Sequence, residues 1–569
     1  MQDAVTRLDR AMRHSNAIAR RWLFPQLEGA SNPAQTLSHS PWDPSTLDAT
    51  LNEEQMSAAI AIASRSHTIP YLISGPPGTG KTKTLVASIL SILQVNPHAH
   101  IIACAPSNPA ADTIVSRLIP RMNANQLLRL NPPNRTFAEV PDDVLRYCHV
   151  EGDAFGLPCY AKLMAFQVVV TTCQDAEILI RARATNLDTM ATELAHGELF
   201  HPDQPLNILP HWTHLLVDEA GQASEPEIAI PLSVLLPPPT SLTSISDPVV
   251  VLCGDVHQLG PRVLSVAART GELDVSLLER LFERPVYASH PMSRTSIRHR
   301  RANGASGASG APGPPPFCDL VRNYRSLPEI LMIPSTLFYE DTLVPAARDV
   351  GHLAWEGLPN PAMPIAFLGC DSEENWIEEG ASWYNLGEIR MVVETVGSLL
   401  GNVPDLRQEQ IAIITPWREQ VWRLRAALRK ATFFKVDVGN VENYQGREFR
   451  VTILSTVRGS KRFIQSDHQA NMGVIFERKR FNVAITRAKD LLVIIGNAAC
   501  LSLDPFWNQF LQFCLRNGLY KGPETGIKDT GACMSRLEIE MRMRNESDLD
   551  EEKNLTIANA VASLALETR

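Results

Sequence analysis

Short runs of β-branched and aliphatic residues recur along the chain. Each is followed by a polar turn and then by apolar positions at helical spacing. The runs are Tyr71–Ser74, Ile101–Ala105, Val168–Thr172, Leu215–Asp218 and Val249–Cys253, then Ile365–Gly369, Ile411–Thr415, Val451–Ser455 and Leu491–Gly496. Strands that are apolar on both faces and alternate with helices predict parallel sheets covered on both sides. Between the two groups of runs lies RHRRANGASGASGAPGPPP, residues 298–316, whose Gly, Ala, Ser and Pro content cannot pack a core and predicts a disordered linker. The expected layout is an N-terminal extension over 1–45, an α/β domain over 46–297, the linker, a second α/β domain over 317–522 and a charged tail over 523–569. The segment from about 120 to 212 exceeds an ordinary crossover. It predicts a helical insertion that lends the first sheet only Val168–Thr172.

Composition narrows the function classes. A chain of 569 residues is too long for a peptide hormone or a small disulfide scaffold. Its 53 Lys and Arg against 62 Asp and Glu give a net charge of −9, without the overall basic excess of many nucleic-acid binders. The charge is unevenly spread: Glu442–Lys489 holds ten basic and four acidic residues, whereas Arg536–Arg569 holds five and eight. Ten cysteines with no C-x-x-C pair and no zinc spacing predict free thiols in a reducing compartment. No apolar run approaches the roughly 18 residues of a membrane span, and the N-terminus lacks the hydrophobic core of a signal peptide.

The chemistry begins at Gly75-Pro76-Pro77-Gly78-Thr79-Gly80-Lys81-Thr82, which fits G-x4-G-K-[ST] between the strand YLIS and the helical run KTKTLVASILSIL. Glycines let backbone N–H groups converge on phosphate oxygens at a helix N-terminus, Lys81 neutralises β/γ charge, and the Thr82 hydroxyl completes a Mg²⁺ shell. The second half of an NTPase is expected at another strand end. Leu215-Leu216-Val217-Asp218-Glu219 supplies it, with Asp218 suited to holding Mg²⁺ through water and Glu219 to orienting or deprotonating the attacking water.

Nine ordered segments then resemble one family: LNEEQ (51–55), GPPGTGKT (75–82), APSNPAADTIVSRL (105–118), VDEAGQASEPE (217–227), CGDVHQLGP (253–261), NYRSLPEIL (323–331), ITPWREQ (414–420), VENYQGREFRVTILSTVR (441–458) and RFNVAITRAK (480–489). Their order and spacing resemble superfamily 1B helicases of the up-frameshift type. LLRLNPPNRT (127–136), RNYRSLPEILMIPSTLFYED (322–341), VGNVENYQG (438–446) and FCLRNGLYKG (513–522) resemble most the Moloney-leukaemia-virus-ten and Armitage RNA-helicase branch. The resemblance implies two tandem RecA-like P-loop NTPase domains, with ATP and Mg²⁺ between them and single-stranded nucleic acid across their top.

It also implies roles, residue by residue. Gln55 would pair with adenine and Tyr324 would stack on it. Gln258 would sense the γ-phosphate, assisted by Gln222. Arg325 and Arg487 would act as arginine fingers, and Gly446 with Glu448 would lie in the motif bridging nucleotide and nucleic acid. Ser107, Asn108, Thr171, Thr415, Pro416, Thr456 and Arg458 would line the strand groove, gripping phosphates without reading sequence. Val256, Trp417 and Tyr444 depart from the usual family residues while leaving the polar set intact. Fifty residues precede Leu51, too few for the β-barrel stalk and accessory regions typical of the family.

The implied activity is an ATP-dependent RNA helicase or translocase moving 5′ to 3′ in RNA silencing or turnover. Contacts to backbone phosphate do not distinguish sugars, so a DNA helicase stays open. So does an ATP-gated RNA clamp that does not unwind. The expected protein is a cytoplasmic monomer, found also in RNA granules rather than the nucleus, with silencing or decay proteins as partners and no membrane contact.

Overall fold

A computed structural model describes residues 1–13, 17–26, 48–201, 203, 208–238, 247–297, 314–348, 350–377, 382–461, 477–531 and 534–544. Most of the expected 298–316 linker and of the tail lies outside these residues. The chain divides into two compact units, Met1–Val321 and Arg322–Arg569.

The first unit is built on seven strands: β1 Tyr71–Ser74, β2 His100–Ala105, β3 Leu127–Arg129, β4 Val168–Thr172, β5 Trp212–Val217, β6 Val249–Gly254 and β7 Phe317–Asp319. They are ordered β3-β4-β2-β5-β6-β1-β7 and every pairing is parallel. Successive residues of a strand enter opposite cores. Leu72, Ile102, Val169, Leu215 and Leu252 face one apolar cluster, while Ile73, Ile101, Val170, Leu216 and Val251 face the other. The sheet is therefore apolar on both sides, as its continuous apolar runs predict.

Three expectations change. The insertion is not simply helical, because β3 pairs in register with β4 and gives the sheet a second strand from within it. Three residues are too few to show a period, which hid this strand. Phe317–Asp319 pairs with β1 at Leu72, Ile73 and Ser74, so the first unit continues to Val321 and the second begins at Arg322 rather than 317. The N-terminal segment is part of the domain: helices α1 (Gln2–Arg13) and α2 (Ala17–Leu23) bury Ala4, Leu8, Ala19 and Trp22 in the first core.

Four further helices carry the first unit's polar machinery: α3 Glu53–Ala63, α4 Lys81–Val95, α5 Asn108–Leu118 and α6 Glu225–Leu235.

In the second unit the sheet comprises β8 Ile365–Gly369, β11 Ile411–Ile414, β12 Asp437–Gly439, β13 Phe449–Ser455, β14 Ala488–Gly496 and β15 Tyr520–Lys521, and a separate antiparallel hairpin joins β9 Asn375–Ile377 to β10 Ser382–Tyr384. The sheet order is β12-β11-β13-β14-β8-β15, again all parallel. Helices α7 (Leu386–Asn402) and α8 (Arg418–Lys430) cover one face over Ile411, Ile413, Val451, Ile453, Val493 and Ile495. The start of the tail is anchored to the second unit. Glu538, fully buried in the helical stretch 536–544, accepts from Arg516 Nε at 2.8 Å and from Asn517 Nδ2 at 2.9 Å.

The entry ends of β2 and β5 carry a histidine group with a consequence for stability. His100 and His211 stack with ring centroids 4.0 Å apart, and His214 is enclosed on β5. Burial depresses all three, His211 to about 3 with the charge of His100 as a second cause. Each ring binds its proton less readily folded than unfolded, where the value is about 6.5. Stability is thus undiminished above pH ~6.5 and falls as pH drops toward 3. The melting temperature should decline between pH 7 and 5, and His211→Asn should flatten that decline; an equal decline in the variant would clear His211 of the effect.

Candidate functional site

The phosphate loop connects β1 to α4. Gly78 at φ +74° and Gly80 at φ +85° occupy the left-handed region that lets the loop fold back on itself. Gly75 is required by a close approach, since a Cβ there would lie 2.2 Å from Lys81 Cγ. The Thr79 hydroxyl donates to Pro76 O at 2.7 Å, and Gly75 N donates to Gly254 O at 3.0 Å, which ties the loop to β6. Lys81, the first residue of α4, is 9% exposed.

Asp218 follows directly on β5 and Glu219 turns the chain at φ +50°, a left-handed conformation uncommon outside glycine. The Thr82 hydroxyl donates to Asp218 Oδ2 at 2.7 Å, and Lys81 Nζ lies 3.8 Å from Glu219 Oε1. Burial raises the Asp218 carboxyl to about 6, helped by the charge of Glu219 and opposed by Thr82 and Lys81. Gln222 Nε2 donates to Glu219 Oε2 at 3.2 Å. Gln258, buried after β6, donates to Asp255 Oδ2 at 2.7 Å, and Asp255 O would lie 3.0 Å from a Cβ on Gly221. Lys81, Thr82, Asp218, Glu219, Gln222 and Gln258 are thus gathered at the C-terminal ends of β1, β5 and β6, where ligands bind in open α/β sheets.

Gln55 lies beside the phosphate loop. Its side chain is 1% exposed and its amide serves the backbone: Oε1 accepts from Asn52 N at 3.1 Å in the capping box of α3, and Nε2 donates to Thr79 O at 3.1 Å. These two bonds brace the phosphate loop against the start of α3.

In the second unit, Asn323 Oδ1 accepts from the N–H groups of Arg325 and Ser326, and the Ser326 hydroxyl donates to Ala488 O on β14. Tyr324, in this turn, is 45% exposed. Arg325 Nε donates to Glu448 Oε2 at 2.8 Å and Lys489 Nζ lies 2.5 Å from Glu448 Oε1. Burial pushes the Glu448 carboxyl up, but Arg325 and Lys489 outweigh it and hold the group below its ordinary value. Glu448 is therefore a partner of two cations. Gly446 adopts φ +78° just before it. Arg487 is 1% exposed, with Nε donating to Val483 O at 2.9 Å and Nη2 to Thr486 Oγ1 at 2.9 Å. Its guanidinium ties the helix Arg478–Ile485 to the residues that follow it.

The strand-groove residues separate by burial. Ser107 is exposed, and Asn108 and Pro416 are half-buried. Thr171, Thr415, Thr456 and Arg458 are at most 2% exposed. Thr171 lies within β4 and Thr415 directly follows β11. Arg458 lies 3.6 Å from Glu374 and packs its guanidinium over Trp383 and Trp417 at 4.2 and 5.0 Å from the ring centroids.

Some of the described basic residues of 442–489 form ion pairs within the second unit. Arg447 pairs with Asp437, Arg450 with Asp490, Arg480 with Glu442, and Lys489 with Glu448.

One buried acid of the second unit gave no sign of itself in the sequence. Glu388, near the start of α7, is fully buried and accepts from Ser455 Oγ at 2.5 Å and from Val457 N at 2.8 and 2.9 Å through its two oxygens. Val457 sits at φ +74° between Thr456 and Arg458, a genuine outlier for a β-branched residue. The unpaired-looking glutamate in LGEIR carried no signal, because its partners lie about 70 residues away.

Two AAA-domain family models match the chain, over residues 50–151 and 311–499. RNA helicase Mov10l1 of Homo sapiens is 35% identical over 479 residues, which are 83% of this chain and 35% of that protein. The Danio rerio protein mov-10-B.1 is 33% identical over 523 residues, 89% of this chain and 47% of its own. The chain belongs to the Mov10-like helicase family. A third relative, "Probable RNA helicase armi" of Drosophila melanogaster, is 31% identical over 489 residues, 83% of this chain and 39% of that one. This Mov10-like chain spans less than half the length of each of these relatives.

Proposed function

We propose that this Mov10-like chain is an ATP-driven motor on single-stranded RNA that moves 5′ to 3′ and separates duplexes. The observation that carries the reading is the gathering of Lys81, Thr82, Asp218 and Glu219 at adjoining strand ends. Lys81 binds phosphate charge at the start of α4, beside the backbone N–H groups of the loop. Glu219, held by Gln222 and aimed by a strained turn, orients the attacking water and takes its proton.

The residues fit a divalent cation: the Thr82 hydroxyl and Asp218 carboxylate already share one point, and burial leaves Asp218 short of positive charge. Mg²⁺ held there would neutralise charge on the phosphate oxygens. Arg325 is the second unit's candidate for the transferred phosphoryl group, and Tyr324 for the base.

RNA as the substrate is supported by the names of two relatives, RNA helicase Mov10l1 and "Probable RNA helicase armi". We assign the protein to the cytoplasm, including RNA granules, as a monomer working with silencing or decay proteins; the described cysteines are all free thiols, which suits a reducing compartment. The test is steady-state ATPase with single-stranded RNA or DNA of one sequence, followed by unwinding of duplexes with 5′ or 3′ overhangs. RNA should stimulate turnover and the 5′-overhang duplex should be opened. Equal stimulation by DNA would move the substrate, stimulation without unwinding would favour a clamp, and no hydrolysis with any polynucleotide would overturn the reading.

A further inference from the structure

The loop between β2 and α5 carries the two residues of the first unit best placed to meet a strand. Ser107 is the N-cap of α5, is exposed and makes no side-chain capping bond. Asn108 beside it is half-buried. Behind them lies a buried ionic group from three other places in the sequence. Arg129 at the end of β3 is 0% exposed, Arg135 is 7% exposed and Asp112 on α5 is 4% exposed.

Arg129 Nε donates to Asp112 Oδ1 at 2.8 Å, Nη1 to Leu130 O at 2.6 Å and Nη2 to Asn108 Oδ1 at 2.8 Å. Arg135 donates to the same carboxylate at 3.0 and 2.5 Å, to Asn131 Oδ1 at 2.7 Å and to Glu139 O at 3.1 Å. Two guanidiniums thus share one carboxylate, an arrangement that leaves a net positive charge out of water and is costly unless it serves something.

We propose that Arg129 is a positioning residue for strand binding: it locks the Asn108 amide by its oxygen, so that the NH₂ group faces outward as a fixed donor to phosphate. The amide's orientation is decided by this bond, because only its oxygen can accept from a guanidinium. Asp112 and Arg135 hold Arg129 in place, and the net positive charge of the three together favours an anion at the loop above. A donor that need not choose a rotamer on binding loses less entropy when it grips. The fork geometry of arginine is what lets one side chain reach Asp112, Leu130 O and Asn108 together; a lysine offers a point charge. The assignment rests on the RNA-motor reading.

The experiment uses the full chain and measures the single-stranded RNA concentration giving half-maximal ATPase, alongside RNA-free turnover and melting temperature. Arg129→Lys should raise the half-saturating RNA concentration about tenfold, as expected for one hydrogen bond to a charged group, with RNA-free turnover within about twofold of the parent. Combining it with Asn108→Ala should cost no more than Asn108→Ala alone, since both act through one amide. Asn108→Asp keeps an acceptor for Arg129 and should melt no lower than the parent, yet it should weaken RNA at least as much as Asn108→Ala.

Additive losses in the double variant, or RNA affinity unchanged in Arg129→Lys, would overturn the assignment while leaving the motor intact. Where Arg129→Lys fails to fold, the Asn108 pair decides: normal RNA affinity in Asn108→Asp overturns the donor role. A parent chain whose ATPase ignores every polynucleotide overturns the motor reading and this one with it.

Discussion

Glu219→Gln is expected to lower ATP turnover by roughly 10²–10⁴, the usual contribution of a positioned general base, while nucleotide still binds. Glutamine keeps the shape and can still accept from Gln222, but it neither takes a proton nor pairs with Lys81 3.8 Å away. Lys81→Ala should fail differently. The lysine fills the space left by Gly75 and meets the phosphates directly, so its loss should reduce affinity and turnover together, the latter by at least about 10²–10³ as for other preorganised charge donors. Fluorescent-nucleotide titration beside steady-state turnover separates the two. Glu219→Gln with full activity would require another base, and Lys81→Ala with unaltered affinity would remove the loop from phosphate binding. Neither side chain packs a core, so melting temperatures should shift little.

The second large effect concerns Glu388. Truncation to alanine strips acceptors from Ser455 Oγ and Val457 N–H deep in the second unit. Each buried donor left unsatisfied costs about 1–3 kcal/mol, and Val457 loses the carboxylate that holds it at φ +74°, a conformation worth roughly 1–3 kcal/mol of strain. We expect Glu388→Ala to destabilise the second unit by about 3 kcal/mol or more in denaturant unfolding.

Glu388→Gln, which keeps one oxygen, should cost less and should show a pH signature. Burial raises the Glu388 carboxyl to about 7, against about 4.3 unfolded. The proton is therefore favoured by the fold: its contribution is fully present below pH ~4.3 and is lost as pH rises through 7. The stability gap between parent and Glu388→Gln should narrow over that window. A gap independent of pH would mean that Glu388 is ionised throughout.

Much of the architecture could be read from the residues because buried parallel strands are continuous apolar runs, and VVVTT or IAII needs no tertiary information to be recognised. In the two large parallel sheets the strands that escaped were LLR, FCD, DVG and YK, two or three residues long, whose pairing is decided by the neighbours they meet. The phosphate-binding cluster was legible for a related reason, since its loop is contiguous and its geometry is local. Gln55, Arg487 and Thr171 show where that reading stops. Each stands in a matching motif, but whether a side chain faces a ligand or braces a loop depends on partners such as Thr79 O, Val483 O and the sheet interior. The Arg129–Asp112–Arg135 group spans 24 residues of sequence and looks, residue by residue, like ordinary surface charge.

The first two helices bear on how the protein can be dissected. The motifs start at Leu51, and a natural place to trim the chain would be just before them. Yet Ala4, Leu8, Ala19 and Trp22 belong to the same apolar cluster as Leu72, Ile102 and Leu252 beneath the nucleotide-side strands, and Arg21 reaches Asp247 ahead of β6. A version cut at the motif boundary would bare that oily face to water and invite self-association. The modularity suggested by the motif map is narrower than the modularity of the fold, and the smallest autonomous first unit includes its opening two helices.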